Sequence, residues 1–181
     1  MAIAHAILAA LLHKPCSGYD LAKRFDQSVE SSVGFFWSAS FQQIYRELGR
    51  LEEKGWLQAQ TVQQDNRPDK RIYSVTEAGQ QGLREWIAEP DDPMPMKDDL
   101  LVKLYAGHLV PSAVMLRKLE VQRQQHQQRL AIYQQIQQSY FQNPPALSEA
   151  SKYVYLTLLN GLHYEQGWLI WCEEAIAFLQ S

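Results

Sequence analysis

The sequence is poor in the features that most readily declare a function. It has 17 Lys and Arg against 20 Asp and Glu, a net charge of −3, so no basic excess advertises a polyanion partner. Residues 1–89 hold ten basic and eleven acidic side chains and residues 90–181 seven and nine, so neither half is basic and any positive surface must be local. There are two cysteines, Cys16 and Cys172, without a C-x-x-C or ligand spacing, which excludes a disulfide scaffold and suits buried thiols in a reducing compartment. No apolar run reaches bilayer length. The best, Tyr153 to Leu162, is followed by His163 and Glu165, and Met1-Ala2-Ile3-Ala4-His5 is no secretory start, so the expectation is a cytoplasmic protein without a membrane partner. Catalytic signatures are missing as well. The five histidines, His5, His13, His108, His126 and His163, have no metal-binding spacing. There is no G-x-S-x-G or phosphate loop, and Asp91-Asp92 and Asp98-Asp99 read as solvated pairs. The expectation is no enzyme, no metal and no cofactor.

What the sequence does contain is helical periodicity. Ala2 to Leu12 carries an apolar stripe of Ile3, Ile7, Leu8, Leu11 and Leu12, ended by Lys14-Pro15. Ser17 reads as the N-cap of a second helix to Asp26, with Leu21, Ala22 and Phe25 inward. After a looser stretch, Gln27 to Gly34, and the cluster Phe35-Phe36-Trp37, Ser38 or Ser40 caps a third helix to about Lys54. Its stripe is Phe41, Ile44, Leu48 and Leu51, its polar side Gln42, Gln43, Arg46 and Arg50, and its stop Gly55. Two short strands follow, Trp56 to Val62 and Arg71 to Val75, joined by the charged turn Asp65 to Lys70. Thr76 opens a fourth helix carrying Leu83, Trp86 and Ile87. Pro90-Asp91-Asp92-Pro93-Met94-Pro95 cannot sustain a helix and marks a linker. The expected domains are therefore 1–89 and 96–181, with residues 90–95 between them. Beyond the linker lie a short helix from Lys97 to Gly107, a long one from Pro111 to about Phe141, and a last one from Ser148 to Leu179.

Three helices followed by a β-hairpin is the order of a winged helix-turn-helix, in which the third helix offers its leading half to the major groove and the hairpin forms a wing. The fold class read here is mainly α: that winged unit with a fourth helix, then an all-helical domain. Gly18-Tyr19-Asp20-Leu21, Phe36-Trp37-Ser38, Ile44-Tyr45-x-x-Leu48-x-x-Leu51-Glu52-x-x-Gly55 and Arg71-x-Tyr73-x-x-Thr76-x-x-Gly79 together resemble the PadR-like transcriptional regulators over about eighty residues. The resemblance implies a dimeric repressor with a helical dimerisation domain, acting on double-stranded operator DNA. One departure is local: where many members start the third helix with Pro-Gly-Thr, this chain has Ser40-Phe41-Gln42-Gln43, so no known operator carries over.

The candidate DNA-contacting residues follow. Gln42, Gln43 and Arg46, with Arg50 on the same polar side, are placed for base edges, because glutamine pairs with adenine and arginine with guanine; the bland alternative is a solvated helix face. Tyr45 could reach phosphate or be half-buried, and Ser38 and Ser40 cap the helix and border phosphate. Tyr19 and Lys23 lie a turn apart on the helix that crosses the backbone. Arg67, Lys70 and Arg71 form the one local basic cluster, diluted by Asp65 and Asp69. Trp37 and Trp56 read as core.

In the second half, Leu116, Leu119, Arg123, His126, Leu130, Tyr133, Gln137 and Tyr140 follow a heptad line with polar interruptions, amid nine glutamines between Gln122 and Gln138. The last helix is apolar on more than one side. A homodimer is expected, with Leu116, Leu119, Leu130, Tyr133, Tyr155, Leu159, Leu162, Trp168 and Trp171 as its contact residues. Core packing is the ordinary reading of the aromatic set Tyr153, Tyr155, Tyr164, Trp168 and Trp171; a pocket for a small aromatic or apolar effector is the other. A winged-helix interaction module that does not touch DNA remains the alternative function.

Overall fold

The computed structural model describes residues 2–25, 37–63, 69–90 and 97–181. Asp26, the stretch Gln27 to Gly34, Phe35-Phe36, Arg67 with most of the expected turn, and the linker residues 91–95 lie outside the described residues; the second helix itself closes at Lys23 with Arg24 as its C-cap, short of the expected end at Asp26. The chain divides into two compact units, Met1–Asp92 and Pro93–Ser181.

The first unit runs α1 (Ala2–His13), β1 (Cys16–Ser17), α2 (Gly18–Lys23), α3 (Phe41–Glu53), β2 (Leu57–Val62), β3 (Lys70–Val75) and α4 (Glu77–Ala88). Its core joins Ile7, Leu8 and Leu11 of α1 to Leu21, Ala22 and Phe25 around α2, Ile44, Leu48 and Leu51 of α3, and Leu57, Tyr73 and Leu83. Trp37 and Trp56 pack against this core while staying partly exposed. Two members of the expected stripes are not in it. Leu12 lies nine residues, half a turn out of phase, beyond Ile3 and is exposed. Phe41, at the first position of α3, is exposed as well.

β2 and β3 pair antiparallel from Leu57 opposite Val75 to Val62 opposite Lys70. Behind β3 lies β1, with Cys16 opposite Tyr73 and Ser17 opposite Ile72, giving the order β1-β3-β2. The sequence reading missed this third strand, since two residues are too few to show alternation. Ser17 both pairs in the sheet and caps α2, its hydroxyl oxygen accepting from the Asp20 amide at 3.1 Å.

Two terminus devices fix α3. At its start Ser40, not Ser38, is the N-cap, and a full capping box forms: Ser40 Oγ accepts from the Gln43 amide at 3.3 Å, and Gln43 Oε1 accepts from the Ser40 amide at 2.9 Å. At its end Gly55 has φ +73°, the left-handed conformation that stops a helix. Its N–H donates to the Glu52 carbonyl at 2.9 Å and that of Trp56 to Leu51 at 2.9 Å. The chain then locks onto α4. Thr76 Oγ1 donates to the Gly55 carbonyl at 2.7 Å and accepts from the Gly79 amide at 3.1 Å, while the Thr76 N–H donates to the Trp56 carbonyl at 3.0 Å. A Cβ on Gly79 would stand 2.2 Å from that carbonyl oxygen, and one on Gly82 2.4 Å from the Trp56 ring.

The second unit has α5 (Asp99–Tyr105), a short 3-10 turn (Gly107–Leu109), α6 (Ser112–Tyr140), a second such turn (Pro144–Ala146) and α7 (Glu149–Gln180). α6 and α7 are antiparallel: His126 meets Glu165, and Gln137 Nε2 donates to the Tyr155 hydroxyl at 3.0 Å. With 29 residues, α6 is about 44 Å long. Its expected heptad line faces α7, with Leu119, His126 and Tyr133 buried and Leu116, Arg123, Leu130 and Gln137 partly so, while Tyr140 is exposed. Among the described residues no helix is long and apolar enough to cross a membrane.

Two stability outcomes follow. Gly79→Ala forces a methyl against fixed backbone, so the first unit should lose about 2–3 kcal/mol, seen as a lower thermal midpoint by tryptophan fluorescence; an unshifted midpoint would contradict the contact. Ser40→Ala removes one half of the capping box and should lower stability in urea titrations by about 1 kcal/mol.

Candidate nucleic-acid interface

α3 buries a narrow strip, Ile44, Leu48 and Leu51, and leaves Gln42, Gln43, Tyr45, Arg46 and Arg50 exposed. Gln42, Arg46 and Arg50 recur every four residues, so their side chains share the side away from the core. Arg50 Nη1 lies 3.4 Å from Glu47 Oε2, an exposed pair of little strength. Gln43 sits differently from its expected partners in base reading, because the oxygen of its amide closes the helix cap. Ser38 is exposed just before α3.

Beside the leading turn of α3 stands α2. Tyr19 is exposed, with the Lys23 ammonium 4.6 Å from its ring centroid and the Phe41 ring 6.0 Å away at 55°. Gly18 allows this approach of α2 to α3: a Cβ there would fall 2.9 Å from the Tyr45 ring.

The expected basic cluster is dispersed by ion pairing among its described members. Lys70 Nζ is 2.8 Å from Asp20 Oδ2 on α2, and Arg71 Nη2 is 2.6 Å from Glu52 Oε1 on α3. The first pair has a chemical consequence. The hydrogen bond from Lys70, joined by one from the Ser17 hydroxyl at 2.7 Å, holds the Asp20 carboxyl below its ordinary value. Burial raises the Tyr73 hydroxyl and the Cys16 thiol, so both stay protonated near neutrality and neither supplies an anion to this surface. These two pairings tie the β2–β3 hairpin to α2 and α3. Sequence spacing alone did not reveal them, since the partners lie fifty and nineteen residues apart.

In the second unit, Leu119, Tyr133 and Leu162 are buried within one chain, and Leu116, Leu130, Tyr155, Leu159, Trp168 and Trp171 are partly buried there. The large apolar residues α7 leaves exposed are others: Tyr153, Val154, Leu156, Tyr164, Ile170 and Phe178. At about 100° per residue all of these but Val154 fall within about a third of the helix circumference. Within the α6–α7 seam, Glu165 is 2 % exposed and hydrogen-bonded to His126. Trp168 stacks on the imidazole at 4.7 Å, and Arg129 Nη1 lies 3.9 Å from Glu165 Oε1. Among the described residues no group of three or more His, Cys, Asp or Glu side chains could hold a metal ion.

Two family models match the chain end to end in succession: the transcriptional regulator PadR-like family over residues 7–85, and the virulence activator alpha C-terminal region over residues 96–180. A probable transcriptional regulator of Mycobacterium tuberculosis is 36 % identical, covering 100 % of this chain and 99 % of its own. The negative transcriptional regulator PadR of Bacillus subtilis is 29 % identical over 98 % of this chain and 97 % of its own. Its crystal structure with operator DNA superimposes with a TM-score of 0.84 at 26 % identity, covering 99 % of both chains, and it has also been solved with p-coumaric acid, TM-score 0.80, 25 % identity, 100 % of both. The virulence activator AphA of Vibrio cholerae gives a TM-score of 0.77 at 32 % identity, covering 98 % of this chain and 97 % of its own. With its capped third helix, three-stranded wing and antiparallel helical pair, the chain belongs to the PadR-like family of transcriptional regulators.

Proposed function

We propose that this chain is a cytoplasmic repressor that binds double-stranded operator DNA as a homodimer and has no catalytic activity of its own. The observation that carries the reading is the shape of α3. It buries three residues and turns Gln42, Arg46 and Arg50 outward beside Tyr19 and Lys23. In the major groove Arg46 and Gln42 meet base edges. Tyr19, Lys23, Tyr45, Ser38 and Ser40 border phosphates, where hydroxyl and ammonium donors position the helix without reading sequence. Gln43 serves the helix start before it serves DNA. Lys70 and Arg71 keep donors beyond those given to Asp20 and Glu52, and exposed ion pairs are worth about 0–1 kcal/mol, so a phosphate can share or compete for them.

Pairing of two copies supports a two-fold symmetric site. The expected contact residues Leu116, Leu130, Tyr155, Leu159, Trp168 and Trp171 sit along the seam around Leu119, Tyr133 and Leu162 within one chain, so the outward row on α7 is the face left for a second copy. Repression follows the naming of the Bacillus subtilis relative as a negative regulator. That relative's complex with p-coumaric acid, together with the aromatic lining of the α6–α7 seam here, supports a small aromatic effector.

Binding should be tested by gel shift on fragments selected from random-sequence DNA by the purified chain. Arg46→Ala should lose about 1–3 kcal/mol on the selected site and relax its preference at one position per half-site. Lys23→Ala should weaken selected and unrelated DNA alike and flatten the salt dependence. Equal loss on all DNA for Arg46→Ala would remove it from the base-reading set. Separately, Ile170→Glu with Phe178→Glu should turn a dimer into a monomer by sedimentation while leaving helicity unchanged; a double variant that still sediments as a dimer would move the interface off this face of α7.

A further inference from the structure

The stripe of α3 has one member out of place. Ile44, Leu48 and Leu51 are at most 2 % exposed, whereas Phe41 keeps 43 % of its surface open to solvent. It occupies the first position of the helix, immediately after the Ser40 cap. Its described ring contact is the tilted one with Tyr19, itself exposed and carrying Lys23 over its ring. Tyr45, one turn on, is exposed too. The leading end of α3 is therefore bordered by three aromatic side chains with unlike chemistry. Tyr19 and Tyr45 end in hydroxyls able to donate to a phosphate oxygen. Phe41 has no polar atom, so it gains nothing from phosphate or from base-edge donors and acceptors.

A partly exposed phenylalanine at the tip of a groove-binding helix suits one feature of B-DNA. In the major groove the apolar group on a base edge is the C5-methyl of thymine, and phenylalanine is among the side chains that contact it. The tip is also the part of such a helix that reaches base edges. We propose that Phe41 is a specificity-determining residue that selects a thymine, through its C5-methyl group, in each half of the operator. The inference rests on the reading of α3 as the groove helix. Gln43, turned back into the capping box, holds the first turn in which Phe41 sits and so is a positioning residue for this contact.

Burying one methyl group multiplies affinity by about four, and two symmetric contacts by about fifteen. The test uses the full chain and duplexes selected from a random-sequence pool. Each thymidine of the selected site is replaced in turn by deoxyuridine, which removes only the methyl group, and binding is followed by fluorescence anisotropy. For the unaltered protein, one thymine per half-site should lose about four-fold on this replacement. A 5-methylcytosine placed at that position should bind more tightly than cytosine. For Phe41→Ala the thymine-to-uracil ratio there should fall to one, while Phe41→Leu keeps part of it. Indifference of the unaltered protein to every replacement overturns the proposal without needing any variant to fold. A ratio preserved in Phe41→Ala overturns it as well, even if overall affinity drops. If the chain enriches no sequence at all, the groove-helix reading itself fails and takes this inference with it, a result distinguishable from a selected site that ignores its methyl groups.

Discussion

The first unit is organised around the place where the backbone at Trp56 meets the glycine face of α4. Gly79 and Gly82 let the helix lie directly on that residue, with no room for a Cβ at either position. Three hydrogen bonds made by Thr76, to the carbonyls of Gly55 and Trp56 and from the amide of Gly79, close the junction. One threonine therefore ends the sheet, starts a helix and satisfies the carbonyl of the glycine that stopped α3. The angle at which the chain leaves α3 and enters the wing depends on this contact, because Gly55, Trp56 and Thr76 all lie within it. Lys54 adds to it from outside, its ammonium resting 3.3 Å from the Trp56 ring centroid.

A second principle concerns charge. The unit has no basic excess, and Lys70 and Arg71, the described members of its basic cluster, are paired to acidic groups on α2 and α3. Such pairs keep the wing aligned with the helices when nothing is bound. They also leave a phosphate to share these cations with a carboxylate, which lowers the electrostatic gain of such a contact. On the proposed reading, discrimination then falls on short-range contacts at the tip of α3, where hydrogen-bond geometry and apolar fit act irrespective of net charge.

Much of this was legible in the sequence because local chemistry governs it. Ser17, Ser40 and Thr76 precede helices and cap them, Gly55 ends one, and the stripe Ile44, Leu48, Leu51 is the buried face. What stayed hidden depends on partners distant in sequence. The two residues of β1 acquire strand character only because Tyr73 and Ile72 lie opposite. Lys70 and Arg71 look like a loose basic cluster until Asp20 and Glu52 are brought beside them. Phe41 fits the apolar period yet lies beyond the end of the core, since periodicity gives a direction around the helix and says nothing about how far along it the covering extends. The heptad line of α6 was seen, but whether its partner would be α7 of the same chain or a second copy is not encoded in the repeat.

The buried pair in the α6–α7 seam sets a limit on how those helices move. His126 and Glu165 meet at one register, with Trp168 stacked on the imidazole. Sliding α7 by one helical turn, about 5.4 Å, would part the 2 % exposed Glu165 from His126, and leaving a buried polar group without its partner costs about 1–3 kcal/mol. An all-leucine seam would tolerate such a slip. This one behaves as a ruler with a single notch: it holds α6 and α7 at one register along their length.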